Sequence, residues 1–86
     1  MANKAIGRAY GGEPVVLEVL GIQGEVVSVL RTEGRRRVSG LCLIRDLFAF
    51  DESLLGKLRR AYQRKDSQTL GRVWGTARPL RKGDPA

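Results

Sequence analysis

The sequence has no histidine, one cysteine and one methionine, and its aromatic residues are one tryptophan, two tyrosines and two phenylalanines. Without histidine it lacks the usual general base of neutral-pH catalysis and the commonest nitrogen ligand for metals. No pair of carboxylates sits in apolar surroundings that would raise a pKa for acid-base work. These gaps speak against an enzyme, a metal centre and a bound cofactor, although a symmetric oligomer could still build a site between chains. Cys42 has no intramolecular disulfide partner, and its place in the apolar run "GLCLI" predicts a buried thiol in a reducing compartment.

Long apolar runs are absent as well. No window approaches the roughly 18 apolar residues of a spanning helix, and "MANKAIGRAYGG" has no apolar stretch of secretory length. A soluble, cytoplasmic protein with no membrane partner is the expectation. The glycines of "GGEP" and "GIQGE" lack the Lys and Ser or Thr of a phosphate loop and precede no helix, so they read as turns.

What the chain does have is positive charge. Sixteen Lys and Arg stand against nine Asp and Glu, a net charge of +7 over 86 residues, which favours a polyanionic partner. Residues 1 to 50 carry seven basic and five acidic side chains, and residues 51 to 86 carry nine and four. The later part is therefore the electrostatic end. With 42% hydrophobic residues, the length suits one small core. A single domain over residues 1–77 and a basic, flexible tail over 78–86, "RPLRKGDPA", are expected.

The first half reads as a β-meander. "AIGRAY" and "VVLEVLGI" are strand-like and joined by the turn formers of "GGEP". "GIQGE" offers Gly21 and Gly24 for a second turn before "VVSVLR", and Gly34 offers a left-handed position before "RRVSGLCLI", where Gly40 suggests a bulge. Both sides of "VVLEVL" are mostly apolar, so this strand is covered on two faces or lies in a curved barrel.

At "FAFDESLLGKLRRAYQRKD" the period changes. Leu54, Leu55, Leu58, Ala61 and Tyr62 recur at helical spacing, with Asp51 as cap and Phe50 placed to pack on Leu55. After a break and new cap at "KDSQ", Leu70, Val73, Trp74 and Ala77 form a second helical stripe, with a closing strand as the alternative. The fold class is α+β: a small antiparallel β-meander or SH3-like barrel, then an amphipathic helix over 51 to 65 and a short second helix.

Candidate binding residues follow from the charge pattern. Arg35, Arg36 and Arg37 would sit at a hairpin end, where strand alternation sends Arg36 to the face opposite Arg35 and Arg37. They suit phosphate oxygens, or they keep a hairpin edge soluble. Lys57, Arg60 and Arg64, flanked by Arg59, form a basic helix face without the interleaved Glu of an ordinary surface helix. Arg78, Arg81 and Lys82 could add phosphate contacts from the tail. Tyr10, beside Gly11 and Gly12, is the candidate base-stacking residue, while Tyr62 and Trp74 are assigned to the core.

The leading expectation is thus a non-enzymatic protein that binds DNA or RNA through an Arg-rich hairpin and a basic helix. The alternative is a protein-interaction module, either homo-oligomeric or bound to an acidic protein, that uses a strand edge and this basic surface.

Overall fold

In the computed structural model, which describes residues 3–81, the first half of the chain folds into strands β1 (Asn3–Arg8), β2 (Pro14–Gln23), β3 (Val26–Glu33) and β4 (Arg36–Leu43). A short β5 (Leu47–Ala49) follows, then helices α1 (Glu52–Gln63) and α2 (Ser67–Trp74). The five strands make one antiparallel sheet in the order β4-β3-β2-β1-β5. The α+β class is as expected. β4 and β5 stand at the two ends of the order, so the sheet is not closed.

Turn chemistry explains the hairpins. Gly24 (φ 60°) and Gly34 (φ 61°) take left-handed conformations at the β2–β3 and β3–β4 turns, where a Cβ would be strained. Two glycines do other things than expected. Gly21 is paired inside β2, and Gly40 faces Val29 in an unbroken β3–β4 ladder. The register shift lies between Val19 and Gly21 instead, and it adds the local bend that a shift of this kind brings.

The apolar β2 is covered on two faces over residues 15–19, while Leu20 at the end of the run is 58% exposed. Cross-strand partners Ile6 and Val16 turn toward the helices, into a cluster with Leu55, Leu58, Ala61, Leu70 and Trp74. Their neighbours Ala5 and Leu17, also partners, turn the other way, into a cluster with Val27, Val29 and Leu47. Two small cores thus share β1 and β2. Cys42 is only half-buried against the second of them, so the expectation of a buried thiol is corrected.

Both helices begin where the sequence places caps. The Asp51 carboxylate accepts from the backbone N–H of Ser53 and Leu54, and that of Asp66 accepts from Thr69. Phe50 joins the cluster that contains Leu55. Residues 67–74 are helical, which decides against a closing strand there.

The strand β5 has no counterpart in the sequence reading, because three residues are too few to display a period before the helical pattern begins. It pairs with β1 on one side. On its other side it takes residues expected in the tail: Ala49 donates to the carbonyl of Arg78, Leu80 donates to that of Leu47, and Phe48 bridges Pro79. Leu80 also packs on the second core. The stretch 78–80 is therefore part of the folded unit, and Lys82 lies outside the described residues.

Candidate nucleic-acid interface

Strand register places the candidate cations along the sheet. β1 runs toward the loop at Tyr10–Gly12, and β2 leaves that loop at Pro14. Because Glu18 pairs with Leu30, β3 approaches the same end of the sheet as it reaches Glu33, and the Arg35–Arg37 turn lies there. The chain after β5 runs the same way. Arg78 lies beside Ala49 and Leu80 beside Leu47, so Arg81 continues past the Gly7–Leu47 pair toward Arg8.

Helix α1 also delivers its C-terminal turn to this end. Tyr62 Cε1 comes within 4.0 Å of the position that a Cβ on Gly11 would take. Arg64 and Lys65 lie two and three residues after Tyr62, and Lys65 leaves the helix in a left-handed conformation (φ 54°). Tyr10, Arg35, Arg36, Arg64 and Arg81 thus share one end of the fold. Arg59 and Arg60 lie one turn back along α1, and Lys57 lies nearer its middle. Glu13, Glu33 and Asp66 are at this end too, but Glu33 is engaged with Arg31 at 3.5 Å and Asp66 caps α2.

The three arginines of the turn are not equivalent. Arg37 Nη2 donates to the Glu18 carboxylate at 2.7 Å, on the face of the sheet that carries the helices. Glu18 is also the cross-strand partner of Lys4, whose ammonium lies 5.5 Å from the Phe50 ring centre. Arg37 therefore ends a row of charges across the sheet. Arg35 and Arg36 are exposed and, among the described residues, have no ion-pair partner within 4 Å.

Lys57, Arg59, Arg60 and Arg64 are all exposed, and among the described residues none has an ion pair within 4 Å. Leu55, Leu58 and Ala61 hold the opposite face of α1 in the core. The amphipathic pattern therefore orients the cations outward. Asp66 feels the field of Arg64 and Arg72, but its carboxyl is held below the ordinary value of 3.8 mainly by the Thr69 hydroxyl and amide.

The aromatic residues divide as their packing dictates. Trp74 is buried, stacks obliquely on Phe48 at 5.1 Å, and donates its indole N–H to the Gly12 carbonyl at 2.8 Å. The Arg8 guanidinium lies 5.6 Å from the Trp74 ring centre. Tyr10 is fully exposed. Tyr62, assigned to the core from its spacing, is 38% exposed, because the stripe of α1 is wider than the surface it covers.

A second feature lies on the sheet face away from the helices. A groove of about 830 Å³ opens between β1–β2 and β4, floored by Leu17, Val29 and Leu47 and rimmed by Arg8, Arg31 and Arg45. Among the described residues no group of His, Cys, Asp and Glu could hold a metal ion, and no helix is long and apolar enough to cross a membrane.

Comparison with protein-family models, curated proteins and solved structures finds no significant match. The functional reading therefore rests on the geometry of this chain.

Proposed function

We propose that this is a non-enzymatic, cytoplasmic nucleic-acid-binding protein that contacts the phosphate backbone of DNA or RNA through its basic end. The observation that carries the reading is the exposed run Lys57, Arg59, Arg60 and Arg64, four cations along α1 and its C-cap with no carboxylate partner within 4 Å among the described residues. A solvated surface helix commonly sets opposite charges at i and i+4, and like charges so spaced repel. Arg60 and Arg64 have that spacing. A polyanion relieves the repulsion and releases its condensed counterions.

Arg35 and Arg36 extend the footprint from the hairpin, and the chain through Arg78 and Arg81 brings further charge to the same end. Lys82 belongs to the proposed contacts by its sequence position. Arg37 contributes less, since Glu18 already neutralises it. The strand order and the short 3-10 turn at Ile44–Asp46, which leads the chain from one edge of the sheet to the other, support an SH3-like barrel left open at its seam.

The test is electrophoretic mobility shift or fluorescence anisotropy over a range of salt. Neutralising about five phosphates of a duplex gives a slope of log affinity against log salt near −4 to −5. The absence of any complex with DNA or RNA at low ionic strength rules the reading out.

One observation favours a second reading, an interaction module for an acidic protein or a second copy. Among the described residues the eight-residue β4 pairs only with β3, and beside its outer edge Val38 and Leu41 are 45% and 72% exposed. Light scattering and partner capture after nuclease treatment separate the two readings. Capture that survives both the nuclease and Arg60→Glu favours the module.

A further inference from the structure

We infer that the nucleic acid is bound as a single strand, with an unpaired base stacked on the ring of Tyr10. This rests on the nucleic-acid reading above and names the form of its ligand. Tyr10 is fully exposed, so the apolar faces of its ring stand in water although the chain has few aromatic residues. Among the described residues, neither a hydrogen bond nor a ring contact engages its side chain.

The loop that carries Tyr10 is held in place. Ala9 donates to the Glu13 carbonyl and Gly12 to the Ala9 carbonyl, both at 2.9 Å, which closes the turn on itself. The Trp74 indole then ties Gly12 to α2. Gly11 (φ 78°) and Gly12 (φ 84°) adopt left-handed conformations, and a Cβ on Gly12 would come within 2.9 Å of Leu70 Cδ2. The result is an exposed ring on an anchored backbone, where a ligand need not first order the loop.

The surroundings supply the rest of a single-strand site. Tyr62 approaches Gly11 and is partly exposed, giving a second aromatic surface at the same place. On α1, Arg59 lies three residues before Tyr62, and Arg64 and Lys65 follow it. Aromatic faces for bases next to cations for phosphates are the combination that holds single strands, because every base has a π face. A duplex keeps its bases stacked inside and offers Tyr10 only sugar and phosphate. The charges alone would serve either form; the displayed ring favours the single strand.

The experiment compares a fluorescein-labelled oligothymidylate of about 12 nucleotides, a length within the range bound by single-strand folds, with a duplex of equal length. Both are titrated at low salt with the wild-type chain, Tyr10→Ala, Tyr10→Phe, and the double variant Arg60→Glu with Arg64→Glu. Tyr10→Ala should weaken single-strand binding about tenfold or more and leave duplex affinity unchanged, while Tyr10→Phe retains binding. A strand carrying 5-iodouracil should photocrosslink to Tyr10. Far-ultraviolet circular dichroism confirms that each variant folds, as the exposure of Tyr10 leads one to expect.

If Tyr10→Ala binds the single strand as tightly as wild type while the charge reversal abolishes binding, the stacking inference is overturned and the nucleic-acid reading stands. Equal losses for strand and duplex, or wild-type binding to duplex alone, overturn it in the same way. If the wild-type chain binds neither form, the nucleic-acid reading falls and this inference with it.

Discussion

The indole N–H of Trp74 donates to the backbone carbonyl of Gly12, 62 positions earlier in the chain, at 2.8 Å. This buried bond joins the last turn of α2 to the β1–β2 loop, and so connects the packing of the helices to the place where Tyr10 is displayed. Trp74→Phe keeps most of the ring but leaves the carbonyl without its donor, a loss of about 1–3 kcal/mol. Urea denaturation followed by circular dichroism measures it. The same variant should loosen the loop, seen as faster amide exchange at Gly12.

Gly12 is the other half of that joint. Gly12→Ala should destabilise the fold, since the new methyl meets Leu70 at 2.9 Å and the residue must keep a φ of 84°. Gly24→Ala provides the comparison. Its φ is also positive, but nothing lies within 4 Å, so only the backbone term remains. The urea midpoint should fall further for Gly12→Ala.

The α2 cap carries a pH dependence. The folded-state pKa of Asp66 is depressed, chiefly by the Thr69 hydroxyl, so its stabilising effect is present above the ordinary carboxyl value of 3.8 and is lost as pH falls through the lower folded value. Acidification should therefore move the Thr69 amide resonance with a midpoint below 3.8. Thr69→Ala should shift that midpoint upward, measured by NMR titration.

Arginines within the triplet should differ in their effect on nucleic-acid binding. Arg36→Gln removes an exposed cation with no ion pair among the described residues and should reduce the steepness of the salt dependence by about one unit. Arg37→Gln should reduce it less and should also free the Glu18 carboxylate, leaving a negative charge on the helix-bearing face. Anisotropy titrations at several salt concentrations measure both.

A chain ending at Ala77 should be less stable and more prone to associate. It loses the hydrogen bonds from 78–80 to β5 and the packing of Leu80, and it exposes a second strand edge. Partial burial of one leucine accounts for about 1–2 kcal/mol of the loss. Urea denaturation and light scattering test the two effects separately.

Much of this architecture can be read along the chain because its causes are local. The stripe Leu54, Leu55, Leu58, Ala61 needs only the helical period, Asp51 and Asp66 need only the first turn of the helix each caps, and Gly34 needs only the turn it occupies. The exposure of Tyr10 and of the α1 cations follows from neighbours a few residues away. Tyr62 shows where such reasoning stops: its spacing assigns it to the core, and only the extent of the surface beneath α1 reveals that it is partly outside.

Local rules could not reach contacts whose partners are distant in sequence. Glu18 neutralises Arg37 from 19 positions away, because the β2–β3–β4 register brings the two side chains onto one face. Residues 78–80 look like tail by composition, but an open edge of β5 offers their backbone groups partners that no composition records. The gathering of the hairpin arginines, the end of α1 and Tyr10 is of the same kind. Charge and periodicity along the chain made these groups basic, aromatic and exposed; strand register and the seating of α1 brought them to one end, because direction along a sheet is set by pairing and not by sequence neighbours.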